Sequence, residues 1–262
     1  MSPGNLICDL DGVVYLGSKP IPGSAGALSA LTAAGWNILM CTNNSSRSPG
    51  EVAERIHDVT GFRIRPESVL TSAQAAAFML APFKPRCFVL GGSGIVDALA
   101  SADIPVVESA EGAEAVVVGL TTDLTYSWLR EAVTAVFQGA RLIATNLDTT
   151  FPTESGLWPG GGAIVAAVET ATGVKAEPAG KPWPPMRELV AKYLVPGPVW
   201  IAGDRPDTDL ALAEGTDWKT ALVLSGVTPA SAEVETAPDL VAPDLATVGR
   251  FLLERCDHGE RP

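Results

Sequence analysis

The sequence is poor in the side chains on which several common catalytic sites depend. It contains only two histidines, His57 and His258, and its four cysteines show no CxxC or zinc-like spacing. A Ser-His-Asp hydrolase and a histidine-rich metal site are therefore not expected. The cysteines are interpreted as reduced thiols of a cytoplasmic protein rather than as disulfides.

Basic residues are also few. The chain has 18 Lys and Arg against 30 Asp and Glu, which gives a formal net charge of −12 and a pI of about 4.6. No basic stripe occurs, and this argues against a nucleic-acid partner. A small phosphorylated metabolite remains compatible with this charge, because local hydrogen-bond donors and a cation can overcome a global negative field.

Long apolar runs are missing as well. No run approaches the roughly 18 residues that suggest a membrane-spanning helix, and no charged-then-apolar leader opens the sequence. We expect a soluble cytoplasmic protein without a membrane partner. Its 262 residues, 47% of them hydrophobic, are enough for two domains or for one domain with a large insertion.

Short apolar runs that alternate with helical segments indicate the fold class. Runs at residues 5–9, 36–41 and 199–202 are typical of buried parallel strands. The alternation of strand and helix predicts an α/β protein, with a Rossmann-like parallel sheet as its core and helices on both faces.

Capping signals predict where several helices begin. Ser24 is expected to cap a helix over 25–34, and Ser72 is expected to cap the helix that follows a strand at 69. Ser48 and Glu51 have the spacing of a capping box, with a helix that runs to about residue 60. A further helix is expected to run from Asp209 to about residue 214.

Prolines near residues 82–85 and 178–182 divide the chain into two α/β patterns. They predict a core domain of residues 1–78 and 180–262 and an inserted α/β cap domain of residues 79–179, which is large enough for its own core. The glycine-rich segment 91–94 lacks the third glycine of GxGxxG. It is interpreted as a tight turn of the cap rather than as a dinucleotide site.

Polar residues follow three of the predicted strands at the point where each strand ends. Ligands of open parallel sheets bind at the carboxyl ends of the strands, so these residues are expected to meet in one crevice. They are Asp9, Asp11, Thr42, Asn43, Asp204 and Asp209. Lys181 lies where the chain would re-enter the core domain.

This combination of residues suits phosphoryl transfer. A phosphate ester repels a carboxylate nucleophile, so the site must neutralise charge, which Mg²⁺ and the ammonium group of Lys181 can do. The Thr42 hydroxyl and the backbone amides of Asn43 and Gly12 can hold phosphate oxygens. One aspartate can then attack phosphorus while the other transfers the proton.

Four motifs resemble those of the haloacid dehalogenase superfamily. The segment Asp9-Leu10-Asp11-Gly12-Val13 resembles its first motif, Thr42 its second, Lys181 its third, and Gly203-Asp204 with Asp209 its fourth. The details are similar to the nitrophenylphosphatase-like, NagD-type branch, which includes phosphoglycolate and pyridoxal phosphate phosphatases. Residues 144–148 and 159–162 are similar to a cap segment of that branch.

The resemblance implies a role for each motif. Asp9 would be the nucleophile and Asp11 the general acid and base. Mg²⁺ would be held by the Asp9 carboxylate, the Asp11 backbone carbonyl and Asp204, with Asp209 in the outer coordination sphere. Lys181, Thr42 and Asn43 would bind the phosphate.

The predicted substrate is a small phosphorylated metabolite, which the cap would select. Asn146 and Asp148, after a cap strand, are candidates for contacting it, and Trp158 is a weaker one. Arg205 could contact the substrate or pair with a nearby carboxylate. Members of the branch often pair through the cap, so a homodimer is an expectation.

Two alternatives use the same residues. A phosphomutase would return the phosphoryl group to a second hydroxyl instead of to water. A non-catalytic phosphate-binding protein would be expected to lack one of the key aspartates or Lys181, and none is missing. A dehalogenase is disfavoured by Asp11, because cleavage of a carbon–halogen bond needs no acid for the leaving group.

Overall fold

The structure is a computed structural model that describes residues 3–153, 156–228 and 237–257. Its strands are β1 (Asn5–Cys8), β2 (Tyr15–Leu16), β3 (Lys19–Pro20), β4 (Asn37–Thr42), β5 (Val69–Thr71), β6 (Cys87–Leu90), β7 (Val106–Val107), β8 (Ala115–Val118), β9 (Arg141–Ala144), β10 (Thr150–Thr153), β11 (Gly156–Pro159), β12 (Glu177–Pro178), β13 (Val199–Gly203), β14 (Lys219–Val223) and β15 (Leu240–Ala242).

The helices fall between these strands, as the alternating pattern predicts. They are α1 (Ser24–Ala33), α2 (Pro49–Thr60), α3 (Ser72–Leu80), α4 (Ser93–Ser101), α5 (Tyr126–Phe137), α6 (Gly161–Thr172), α7 (Pro184–Ala191) and α8 (Leu245–Asp257). Among the helices of these described ranges, none has the length and apolar character needed to cross a membrane.

The chain divides into two compact units. The first comprises Met1–Thr42, Val52–Leu70 and Val190–Pro262, and the second comprises Asn43–Glu51 and Thr71–Leu189. The division into a core of residues 1–78 and 180–262 and a cap of residues 79–179 stays a prediction.

The first unit contains a six-stranded sheet in the order β15-β14-β13-β1-β4-β5. The pairings from β15 to β4 are parallel, and Cys8 of β1 lies opposite Ala202 of β13 and Met40 of β4. Every residue of β1 is buried, and its apolar residues Leu6, Ile7 and Cys8 are typical of a central strand. Helices α1 and α8 pack against each other and contribute Leu28, Leu31 and Leu252 to the core.

The second unit has a five-stranded sheet of its own, in the order β12-β9-β8-β6-β7, and all its pairings are parallel. The apolar strands β6 and β8 are wholly buried. Strands β10 and β11 form an antiparallel hairpin in which the rings of Phe151 and Trp158 meet edge to face, with centroids 6.3 Å apart. The α/β fold class with a Rossmann-like parallel sheet is confirmed.

The capping box at the start of α2 is confirmed. The Glu51 carboxylate accepts from the backbone N–H and the hydroxyl of Ser48, at 2.7 and 2.9 Å, and the Glu51 N–H donates to the same hydroxyl. The backbone hydrogen bond from Ser48 is the largest of the effects that lower the pKa of Glu51 below the ordinary value.

Two predicted serine caps are wrong because Ser24 and Ser72 are already the first helical residues of α1 and α3. The buried Ser24 hydroxyl donates to the Val14 carbonyl, and Gly23 precedes the helix with φ 81°. At α3 the cap is Thr71, which forms a capping box with Gln74, while the Ser72 hydroxyl donates to another loop. The helix expected from Asp209 to residue 214 is only a short 3₁₀ turn, Leu210–Ala213.

Candidate active site

Three aspartates of the first unit meet at the carboxyl edge of its sheet. Strands β1 and β13 are neighbours, and the Asp9 N–H continues their pairing by donating to the Ala202 carbonyl at 2.9 Å. One carboxylate oxygen from each of Asp9, Asp204 and Asp209 lies within 4.8 Å of the other two. The exposed fractions of Asp204 and Asp209 are 1% and 2%, so water screens their charges only weakly.

Asp209 holds the loop that presents Asp204. Its carboxylate accepts from the backbone N–H groups of Asp204 and Arg205, at 3.1 and 3.0 Å. A Cβ atom at Gly203 would collide with the Asp209 side chain, so this approach requires glycine. The backbone N–H of Arg205 is therefore part of the site, and its side chain is half-buried.

A segment after β14, which the sequence interpretation missed, contacts the same loops. The Ser225 hydroxyl donates to the Gly12 carbonyl at 2.7 Å, and the Val227 N–H donates to the Asp204 carboxylate at 2.7 Å. A Cβ atom at Gly226 would collide with that carboxylate. A Ser-Gly pair after a fourth apolar strand was the available signal.

The loop after β1 is compact. Gly12 has φ 86°, and a Cβ atom there would lie 2.6 Å from an Asp204 oxygen. Its N–H donates to the Tyr15 carbonyl at 2.8 Å, which closes the turn that follows Asp11. Arg55 donates to the Gly17 carbonyl and lies over the Tyr15 ring, 5.5 Å from its centroid.

The donor set of the three aspartates fits a hard divalent cation. Carboxylates at this separation repel one another, and burial strengthens the repulsion. A cation with oxygen ligands relieves it, and carboxylate oxygens are the ligands that Mg²⁺ prefers in proteins.

The second unit gathers the other predicted residues. Asn43 and Lys181 are buried, with exposed fractions of 8% and 4%, and the Asn43 side chain contacts the backbone of Lys181. Asn146 is buried and donates to the Asn43 carbonyl, while Asp148 is half-buried and accepts from the Asn43 amide. Thr42, the last residue of β4, belongs to the first unit and is buried.

The glycine-rich turn before α4 has a purpose that sequence did not reveal. A Cβ atom at Gly92 would lie 2.8 Å from Ser46, and one at Gly94 would collide with the Arg47 backbone. A Cβ atom at Gly119 would likewise collide with the Ser45 hydroxyl. These glycines let the polar loop after β4 lie close to the carboxyl ends of β6 and β8.

Other candidate nucleophiles play no part in this arrangement. Burial raises the pKa of the Cys87 thiol to about 12, so it stays protonated at neutral pH. His57 lies in α2, and His258 lies outside the described residues. Trp158 is exposed on the β10–β11 hairpin.

A parallel α/β fold with three aspartates together at the strand ends is suited to a metal-dependent enzyme that binds its ligand at this edge of the sheet. A family model described as haloacid dehalogenase-like hydrolase matches residues 6–105, and a second, described as HAD-hydrolase-like, matches residues 178–248.

Curated relatives match most of the chain. A D-glycerol 3-phosphate phosphatase of Mycobacterium tuberculosis is 38% identical over 252 residues, which cover 93% of this chain and 70% of that protein. An acid sugar phosphatase of Staphylococcus aureus is 36% identical over 225 residues, which cover 84% of this chain and 86% of that protein.

Solved structures of phosphatases are also similar to this chain. The glycerol phosphate phosphatase of M. tuberculosis in complex with magnesium is 36% identical with a TM-score of 0.86, and the match covers 95% of this chain and 78% of that one. A p-nitrophenyl phosphatase of Archaeoglobus fulgidus is 29% identical with a TM-score of 0.87, and the match covers 96% and 100%.

The chain therefore belongs to the haloacid dehalogenase-like hydrolase family, in its class IIA, NagD-type phosphatase branch. It is a phosphoric monoester hydrolase, as its four motifs predict.

Proposed function

We propose that this protein is a magnesium-dependent phosphatase of small phosphorylated polyols or sugars, which acts through an aspartyl-phosphate on Asp9. The observation that carries the proposal is the cluster of Asp9, Asp204 and Asp209 at the carboxyl edge of the sheet. The substrate class is supported by the glycerol phosphate and sugar phosphate activities of the two curated relatives.

The aspartate cluster would hold the metal ion. Asp9 and Asp204 would bind it through carboxylate oxygens and Asp11 through its backbone carbonyl, with Asp209 behind them. Magnesium, when bound, neutralises phosphoryl oxygens and stabilises the charge that develops on them. A magnesium-bound structure of one relative supports this cofactor.

The two aspartates of the first motif divide the chemistry. The Asp9 carboxylate attacks phosphorus, the ester P–O bond breaks, and the leaving oxygen takes a proton from Asp11. Asp11 then removes a proton from water, whose oxygen attacks the phosphorus of the aspartyl-phosphate. Inorganic phosphate leaves, and Asp9 is free again.

The phosphoryl group needs donors as well as a cation. The Thr42 hydroxyl, the backbone N–H of Asn43 and the ammonium group of Lys181 would supply them. The Gly12 N–H, which was expected to be a further donor, instead donates to the Tyr15 carbonyl at 2.8 Å. Donors placed before the reaction begins stabilise the charge of the transition state without costly rearrangement.

Substrate choice and assembly complete the proposal. The cap would restrict the site to small esters, and Arg205 would affect which ester binds. The protein would act in the cytoplasm, as a homodimer paired through the cap, without a nucleic-acid or membrane partner.

Release of inorganic phosphate from a panel of phosphomonoesters tests the function. We expect release from glycerol 3-phosphate or a hexose phosphate in the presence of Mg²⁺ and almost none after chelation with EDTA. A nucleotide and pyridoxal phosphate should be poorer substrates. No release from any ester by the folded protein would contradict the phosphatase assignment.

The same assay with Asp9→Asn tests the nucleophile. The amide cannot form the aspartyl-phosphate, so we expect turnover to fall by at least about 10³-fold. The melting temperature should not fall, because the substitution removes one of three carboxylates that repel one another. Asp207→Asn is the matched control, because Asp207 is an exposed carboxylate in the same unit outside the cluster. Activity retained by Asp9→Asn would show that the nucleophile is misassigned.

A further inference from the structure

The side chain of Asn43 binds both backbone polar groups of one residue, Lys181. Its Oδ1 accepts from the Lys181 N–H at 2.8 Å, and its Nδ2 donates to the Lys181 carbonyl at 3.1 Å. Both residues are buried, so these backbone groups need protein partners. The carboxamide does what a neighbouring strand would do.

We propose that Asn43 is a positioning residue whose carboxamide fixes Lys181, and that Asn146 and Asp148 act through Asn43 rather than on the substrate. The inference deepens the proposed function and rests on it, because Lys181 is there the phosphate-binding cation. The Asn43 backbone N–H stays a phosphate donor, while its side chain holds the backbone of Lys181.

The contact continues a ladder that begins in the sheet. Strand β12 pairs with β9, and beyond it the N–H groups of Ala179 and Gly180 donate to the carbonyls of Ala144 and Thr145 at 2.9 and 2.8 Å. Lys181 is the next residue, and the Asn43 carboxamide serves as its partner.

Gly180 permits this close approach. A Cβ atom there would lie 2.5 Å from the Thr145 carbonyl oxygen and 2.6 Å from Asn43 Oδ1. Both distances are well below van der Waals contact, so any larger residue would push Asn43 away from the Lys181 backbone. The two hydrogen bonds between the Asn43 side chain and the Lys181 backbone, which we call the clamp, therefore explain why glycine precedes Lys181.

Asn43 is itself held from two sides. Its carbonyl accepts from the Ser72 hydroxyl at 2.6 Å and from the Asn146 amide at 2.7 Å. Asn146 Oδ1 accepts from the Asp148 N–H at 3.1 Å, and Asp148 Oδ1 accepts from the Asn43 amide at 3.3 Å. The Asn146 carboxamide is engaged at both ends within this network.

The clamp can fix the position of the Lys181 ammonium group, which is otherwise variable because the lysine side chain is long. Its ammonium group sits on a flexible four-carbon stem, so its position depends on the backbone from which the stem starts. A displacement of about 1 Å at a positioning group can cost about 100-fold in rate. Two hydrogen bonds to the backbone of Lys181 limit such displacement.

The chain provides a matched control in Asn5. Its Oδ1 accepts from the Val195 N–H and its Nδ2 donates to the Val195 carbonyl, both at 2.9 Å. Asn5 is buried and makes the same two-point contact in the first unit, with an apolar residue as its partner. Asn5→Ala therefore reports the cost of losing such a contact away from Lys181, together with the hydrogen bonds of Asn5 to the Asn37 amide and the Pro198 carbonyl.

The experiment measures inhibition of the magnesium-loaded enzyme by inorganic phosphate, together with kcat and KM for two esters with different leaving groups. For Asn43→Ala we expect the phosphate Ki to rise by about tenfold or more and kcat/KM to fall by the same factor for both esters. Asn5→Ala should lower the melting temperature comparably and leave the phosphate Ki within about twofold of the wild type.

Asn146→Ala tests the proposal independently, so the test remains possible even if Asn43→Ala does not fold. We expect a weaker rise in the phosphate Ki and no change in the ranking of the two esters. An unchanged phosphate Ki with an altered ranking would place Asn146 against the substrate and overturn the proposal.

Two further outcomes would also overturn it. One is a phosphate Ki of Asn43→Ala within about twofold of the wild type, and the other is an equal loss of affinity in Asn5→Ala. Either result leaves the phosphatase assignment intact, because the wild type still hydrolyses esters. A wild type that neither hydrolyses an ester nor binds phosphate would contradict both proposals.

Discussion

The carboxylate of Asp204 is fixed by parts of the chain that are far apart in sequence. The Asp209 carboxylate accepts a hydrogen bond from the backbone N–H of Asp204, and the Val227 N–H donates to an oxygen of the Asp204 carboxylate. Asp9 and Asp204 could be predicted, because a carboxylate directly after a buried strand needs water or a ligand. Val227 could not, because its backbone and not its side chain makes the contact.

Gly226→Ala is predicted to weaken metal binding. The added Cβ would collide with the Asp204 carboxylate and displace it. We expect the Mg²⁺ concentration for half-maximal activity to rise by about 10- to 100-fold, and the rise in melting temperature on adding Mg²⁺ to shrink. If neither the half-maximal Mg²⁺ concentration nor the shift in melting temperature changed, segment 225–227 would not position the Asp204 carboxylate for metal binding.

Gly26→Ala is the control for that variant. Gly26 is exposed in α1, and a Cβ there would meet nothing within 4 Å. Alanine should stabilise the helix by about 0.5–1 kcal/mol and leave the response to Mg²⁺ unchanged.

At the scale of elements, the strand before Lys181 is one that the sequence could not predict. Strand β12 has two residues, Glu177 and Pro178, and two residues show no periodicity. The longer apolar strands were predictable to within one or two residues at each end. The cap of α3 was misassigned to Ser72 instead of Thr71, because both hydroxyls are suitable caps and the sequence does not show at which of the two residues the helix begins.

An ion pair attaches β12 to β9. Arg141 donates two hydrogen bonds to the Glu177 carboxylate, at 3.0 and 2.8 Å, and also lies over the Phe83 ring. The hydrogen bonds from Arg141 hold the pKa of Glu177 below its ordinary value of 4.5. A depressed pKa in the folded state means that the pair stabilises the fold above pH 4.5 and loses this effect as the pH falls through the folded pKa.

Arg141→Gln should therefore destabilise the protein in a pH-dependent way. We expect a loss of less than about 1 kcal/mol in the free energy of unfolding at pH 7, because the pair is partly exposed. The difference from the wild type should narrow below pH 4.5, where protonation of Glu177 removes the ion pair. Urea unfolding at several pH values measures it, with Arg63→Gln at an exposed position as the control. A gap that widened at low pH would contradict this account.

At the scale of the whole molecule, one alternation of strands and helices produces two parallel α/β units. The alternation of strands and helices could be predicted because the strands are short and apolar, although of the three predicted caps only the one at α2 is correct. The sequence could not predict that residues 43–51 belong to the second unit. A polar loop directly after a strand of the first sheet gives no sign that its partners are Gly92, Gly94 and Gly180, which lie far along the chain.

The central claim is that Asp9 carries the phosphoryl group, and chemical trapping tests it most directly. The enzyme is mixed with Mg²⁺ and its best ester, quenched during turnover and treated with borohydride, which reduces an aspartyl-phosphate to homoserine. Peptide mass spectrometry should find homoserine at position 9 and, under the same treatment, unmodified aspartate at positions 11, 204 and 209. Homoserine at another of these positions, or none at position 9 while phosphate is being released, would contradict the account.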